Sequence, residues 1–164
     1  AASDVYKRQG EGFRHIESCL PQILLCLSAE ALGIMEVLNK LTVEYSKTRK
    51  QFGAPIGSFQ ALQHRMVDNF MAFEQSKSMV YRGICESTSF NKNDIDINQF
   101  LKTAHAVKAL IAKNSKQIGD ESIQIHGGIG MTDELNIGHF VKRLMMINVL
   151  FGDGDFHRQC FSQN

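Results

Sequence analysis

Two short stretches of the chain hold residue types suited to gripping an anionic ligand. In Arg49-Lys50-Gln51-Phe52-Gly53-Ala54-Pro55-Ile56 a guanidinium closes a long apolar-periodic stretch, followed by a side-chain amide, an aromatic ring and a tight turn. A guanidinium fork bonds two oxygens of a pyrophosphate at once, and an exposed phenylalanine beside it offers a flat face to an adenine or flavin ring. The same residues also suit a plain helix C-terminus, where the dipole favours cations, running into a loop. The second stretch is Gln124-Ile125-His126-Gly127-Gly128-Ile129-Gly130. Its glycines let a ligand or another chain approach backbone N–H groups, although a Gly-Gly pair that merely ends a helix is common. On residue types alone, both stretches stay open between ligand site and helix end.

Other chemistries find fewer candidates. The six histidines are His15, His64, His105, His126, His139 and His157. None belongs to a Glu-x-x-His pair of the kind that builds carboxylate-bridged metal sites in bundles, and no H-E-x-x-H occurs. Asp153, Asp155 and His157 alternate across a glycine turn, a pattern read here as solvated carboxylates; no metal site is expected. The cysteines Cys19, Cys26, Cys85 and Cys160 show no C-x-x-C spacing. They are expected to be buried or idle thiols in a reducing compartment.

The elements that must position these groups are helical. A chain of 164 residues with 43% hydrophobic and 21% charged residues is one domain with a sizeable core. The net charge of +1 leaves no electrostatic footprint for nucleic acid or an anionic membrane surface. No uninterrupted apolar run approaches the roughly 18–20 residues that span a bilayer. Apolar residues recur at helical spacing from about Phe13 to Lys50, with Leu24, Leu27, Ala31, Ile34, Met35, Leu38 and Leu41 on one stripe and Pro21 near its start. After the Gly-Pro-Gly break, Ser58 is placed to cap a second helix over about Phe59–Glu86, with Leu62, Met66, Phe70, Phe73, Met79 and Ile84 facing the core. Ser87 to Asp96 reads as a surface loop and the most mobile internal segment. A third helix spans about Ile97–Ile125 and ends at the glycines; Thr132 or Asp133 can cap a shorter fourth that reaches about Val149. The expectation is an all-α, antiparallel up-and-down bundle of three long helices plus a shorter one, without a sheet. Residues 1–9 read as a disordered or non-native leader, and 10–164 as the domain.

Arg-x-Gln-Phe-Gly-x-Pro-Ile, then Phe59-Gln60-Ala61-Leu62-Gln63, then Gln-Ile-His-Gly-Gly-x-Gly, in that order, resemble the C-terminal helical domain of the acyl-CoA dehydrogenase family. Tyr45 and Leu32-Gly33 fit as well, and the resemblance runs from about residue 20 to 158. It implies an FAD-dependent oxidoreductase that removes hydrogens α and β to an acyl-CoA thioester, with electron-transferring flavoprotein as acceptor. It also implies a helical N-terminal and a middle β domain beyond this chain. By resemblance, Arg49 reaches the FAD pyrophosphate of a neighbouring subunit, while Gln51 and Phe52 line that FAD. Gln124, Gly127 and Gly128 match the segment touching its pyrophosphate and adenosine part. Cofactor binding would then depend on a homo- or hetero-oligomer, in a bacterial cytoplasm.

The resemblance stops at the base. Most of the family places a glutamate before a Gly-Thr pair; an ungapped count from Gln124 puts Phe151, Gly152 and Asp153 there. Phenylalanine accepts no proton and is expected to fill that space by packing. Some relatives carry the base on the first long helix, where Ile23 stands, and Pro21 and Leu24 fall near the places of CoA-holding residues. Three readings follow: an enzyme whose base is displaced, with Asp153 the nearest carboxylate; a subunit sharing FAD with a catalytic partner; or a flavin-free helical scaffold. The ending Phe151-Gly152-Asp153-Gly154-Asp155 resembles bacterial members encoded as paired subunits.

Overall fold

In the computed structural model, which describes residues 12–92 and 94–163, the longest apolar stripe becomes helix α1, Gly12–Thr48. The leader expected over 1–9 lies outside the described residues. Leu24, Ala31, Met35 and Leu38 are fully buried along α1, Leu27 and Ile34 partly, and Leu41 faces outward. By length and composition, His15–Thr48 is long and apolar enough to cross a bilayer, with mean hydropathy 1.5. Here its buried stripe packs into the core it shares with the other helices.

Helix α2 (Gln60–Asn91) returns antiparallel to α1, so that Asn39 meets Asn69 and Leu25 meets Gly83. Helix α3 (Ile97–His126) returns again, with Asn114 donating to the Ala72 carbonyl and to Ser76 Oγ, each at 3.0 Å. Helices α4 (Ile137–Val149) and α5 (Gly154–Gln163) both lie along α3. α3 is therefore the central helix, and Phe100, Val107, Ile111 and Ile118 are buried on it. Its start is fixed by Asp96, whose carboxylate accepts from Gln99 N at 2.8 Å. Its end is fixed by Gly127, whose φ of 67° suits only a residue without Cβ. On the surface, Arg143 of α4 makes a two-pronged bond to Glu30 of α1, at 2.6 and 2.9 Å.

The all-α bundle is the observed fold, with corrections in its details. α2 continues past Glu86 to Asn91, so half of the expected Ser87–Asp96 loop is helix. The cause is Phe90, which stacks on Phe100 at 5.4 Å and extends the helix to bury its ring. On α2 the buried line runs through Asn69, Ala72, Phe73, Ser76, Val80 and Gly83, which leaves Phe70 and Ile84 exposed. Ser58 does not cap α2; its hydroxyl donates to the Pro55 carbonyl at 2.7 Å, and Phe59 takes the N-cap position. α4 begins at Ile137 without a side-chain cap, because Thr132 instead donates to Ile129 and closes the 3-10 turn Gly127–Met131. No cysteine is buried: Cys19, Cys26 and Cys85 are exposed and Cys160 partly so. A two-residue ladder joins Lys50–Gln51 (β1) to Ala54–Pro55 (β2), where no sheet was expected.

α5 is a further short helix beyond the expected four, and its seat against α3 is tight. A Cβ added at Gly154 would stand 2.9 Å from the Ala112 Cβ. Gly154→Ala is expected to destabilise the docked α5 by about 1–3 kcal/mol, as overpacking does. A thermal melt unchanged by the substitution would contradict this close approach.

Candidate functional site

The β1–β2 hairpin is built so that one aromatic ring stands in solvent. Its two-residue turn is Phe52-Gly53, with φ of 55° and 82°, the pattern of a type I′ turn. Gly53 adopts that geometry freely. Phe52 does not: a bulky residue in the left-handed region is strained by roughly 1–3 kcal/mol. The ring is also 93% exposed and meets Phe59 edge-on, with centroids 6.2 Å apart. A strained backbone holding an apolar ring in water is stable only at the expense of the rest of the fold, which points to a use for that ring.

Arg49 sits between α1 and this hairpin, where its backbone carbonyl accepts from Ile56 N at 2.8 Å. Its guanidinium is exposed and, among the described residues, makes no ion pair. The end of α3 faces the same space. Tyr45 stacks on His126 with ring centroids 4.4 Å apart, and the Tyr45 hydroxyl donates to the His126 carbonyl at 3.4 Å. His126 Nδ1 in turn lies 2.7 Å from the Ser122 carbonyl, which makes that nitrogen the N–H donor. This chain of contacts fixes the end of α3, and with it Gly127 and Gly128, against the end of α1. A Cβ at either glycine would meet nothing within 4 Å, so the backbone there is open to a visitor.

Arg49, Gln51, Phe52, Gln124, Gly127 and Gly128 thus line one cleft of about 360 Å³. Residues some seventy positions apart are brought to one place by the parallel run of α1 and α3. The cleft also holds Phe59 and His126, which belong to the quoted motifs, and Arg65, which the sequence alone does not single out. Arg65 is held by Glu121, Nε to Oε2 2.5 Å, so of the two guanidiniums Arg49 is the one left for an anion. The cleft is large enough for a diphosphate and part of a nucleoside, but a flavin dinucleotide would extend well outside it.

Asp153 and Phe151 lie elsewhere. Asp153 lines a second cleft, between α3, α4 and the start of α5, together with Lys113, Lys116 and Arg158. Its Oδ1 accepts from Phe156 N at 2.8 Å, making it the N-cap of α5. Phe151 does not pack as expected: it has φ of 59° in the α4–α5 turn, and its side chain is half exposed. The turn itself projects it outward, since Gly152 is wedged with a φ of 112° against the Phe156 ring. Among the described residues, no three of His, Cys, Asp or Glu stand together as a metal would require.

Over residues 10–164 the chain matches the family described as acyl-CoA dehydrogenase, C-terminal domain. Acyl-CoA dehydrogenase IpdE2 of Mycolicibacterium smegmatis is 40% identical over 119 residues, which are 73% of this chain and 34% of that protein. A solved structure of PigA with FAD and proline superposes with a TM-score of 0.83 at 27% identity, over 95% of this chain and 39% of that one. An electron transferring flavoprotein structure of Acidaminococcus fermentans superposes with a TM-score of 0.84 at 27% identity, again over 95% and 39%. The chain therefore spans only a third to two fifths of the proteins it matches. Its helical bundle, its two motifs and the extent of the match place it in the acyl-CoA dehydrogenase family, as the C-terminal domain.

Proposed function

We propose that this chain is the C-terminal part of an FAD-dependent enzyme that dehydrogenates an acyl-CoA thioester across its α and β carbons. The observation that carries the reading is the meeting of an exposed guanidinium, Arg49, without an ion pair among the described residues, and a strained, exposed ring, Phe52, over an open glycine backbone. These groups fit one end of FAD. Arg49 would hold the pyrophosphate, Phe52 and Gln51 would lie along the cofactor, and Gln124, Gly127 and Gly128 would present backbone and amide to its diphosphate and adenosine. When bound, FAD supplies the two-electron acceptor that takes hydride from the β carbon. Since the cleft covers only part of a dinucleotide, the remainder is held by another surface, which the family resemblance assigns to a neighbouring subunit. Relatedness to PigA, solved with FAD, supports the cofactor assignment. Electron-transferring flavoprotein is the proposed electron acceptor, in a bacterial cytoplasm.

The family's base position favours a paired-subunit form of this proposal. Phe151 cannot take the α proton, and Asp153 is engaged as a helix cap. The subunit then contributes cofactor contacts, and a partner of the same family contributes the base. The test is to prepare the complete protein, alone and with its partner, and record flavin absorbance and acyl-CoA oxidation with an electron-accepting dye. Flavin-free protein in both preparations, with none taken up from added FAD, would overturn the proposal in favour of a scaffold.

Phe52 gives a sharper expectation. In flavin-free protein, Phe52→Gly should leave the melting temperature unchanged or raise it, because relief of about 1–3 kcal/mol of strain offsets the lost edge contact and glycine's added chain entropy. FAD retention should fall in the same variant. A marked drop in melting temperature would show that the ring serves the fold instead.

A further inference from the structure

Three nitrogen-bearing side chains are buried together beneath the turn that joins α4 to α5. His157 of α5 and Lys108 of α3 have no exposed surface, and His105 of α3 is 5% exposed. The two imidazoles meet Nδ1 to Nδ1 at 2.7 Å. One ring must donate and the other accept, so the bond exists only while at least one of them is neutral. Lys108 Nζ donates to the Ile147 carbonyl, one of the unpaired carbonyls at the end of α4. His157 Nε2 is buried against the Gly152 backbone and lies 3.2 Å from where a Gly152 Cβ would stand.

We propose that His105, Lys108 and His157 form a proton-controlled latch that docks α5 on α3 and so sets the path of the Phe151-Gly152-Asp153 turn. The latch links three elements at once. Lys108 holds the end of α4, His105 holds α5 through His157, and Gly152 is clamped between the His157 and Phe156 rings. Facing His157 are His105 and Lys108 from α3 and Asp153 from the turn, while α4 presents the Ile147 carbonyl end through Lys108. A proton on His157 would put a second cation beside the buried ammonium, with the Gly152 backbone and Asp153 to oppose it. Burial, then the His105 and Lys108 charges, hold His157 down to about 4; burial alone lowers His105.

The direction of the effect follows. Docked α5 binds fewer protons than undocked α5 below the ordinary histidine range, so the histidines' contribution to docking is full above about pH 6.5 and weakens as pH falls toward 4, while burial lowers Lys108 only to about 8, above that window. Because it concerns the docking of α5, the latch holds whether or not the FAD reading does. Hydrogen exchange of the α5 amides in the complete protein, corrected for intrinsic rates, tests it between pH 7.5 and 5. The opening equilibrium should rise about tenfold per pH unit below 6.5 for each histidine released. In His157→Gln or His105→Gln that dependence should shrink, since an amide does not titrate. A flat wild-type profile, or a slope kept in both variants, would overturn the latch. Should either variant lose α5 protection at every pH, the His157 ring resonance of the wild type decides. It should read neutral at pH 5.5 while α5 is docked, and a charged ring there would overturn the proposal.

Discussion

Replacing Arg49 with alanine in the complete protein weakens FAD binding by about ten- to a hundredfold, while the helical fold melts as before. The magnitude is that of a hydrogen bond to a charged partner, roughly 1.5–3 kcal/mol. Two observations separate this expectation from a general loss of stability. Arg49 is exposed and has no ion pair among the described residues, so its removal leaves no buried partner stranded. The neighbouring cation Arg65 is held by Glu121 and is not free to replace it. Arg49→Lys should recover only part of the affinity, because an ammonium lacks the planar fork that meets two phosphate oxygens together. Flavin content after dialysis is the measurement, with circular dichroism melts beside it. Flavin retained in full by Arg49→Ala would remove the pyrophosphate role.

Much of the architecture was legible because long helices repeat their signal. On α1 the same three- and four-residue step recurs through Leu24, Ala31, Met35 and Leu38, and a stripe that long has one interpretation. Short elements escaped because they carry too few apolar residues to show a period. α5 is ten residues long, and the residue it buries most completely is His157, whose side chain gives no apolar signal. Polar end signals misled for a different reason: a serine hydroxyl can serve several backbone groups. Ser58 donates back to Pro55 instead of accepting from the next helix, and only the local backbone path decides between the two. The α2 terminus was hidden behind a polar run, and a single tertiary contact, Phe90 on Phe100, outweighed that local tendency. The two site motifs were legible as motifs, but their meeting in one cleft depends on the parallel run of α1 and α3. Their residue types alone do not encode that juxtaposition; the expected up-and-down order of the helices and the family resemblance do.

Asp153→Asn is expected to leave acyl-CoA oxidation by the paired protein unchanged, whereas the complete protein without its partner should show little activity from the start. Loss of a true general base slows a reaction by about a hundred- to ten-thousandfold, so the two outcomes are far apart. The substitution is clean because of what Asp153 does in the fold. Its Oδ1 accepts the Phe156 N–H at 2.8 Å, and asparagine caps a helix about as well as aspartate. The charge is removed while the cap remains. For Asp153 to act as base, the oxygen left free by the cap, Oδ2, would have to come within about 3 Å of the substrate's α carbon, or reach it through one water. Phe151 is half exposed on a turn held by Gly152, and its ring supplies no proton acceptor. Full activity from the complete protein alone, abolished in Asp153→Asn with FAD still bound, would make Asp153 the base and end the paired-subunit reading.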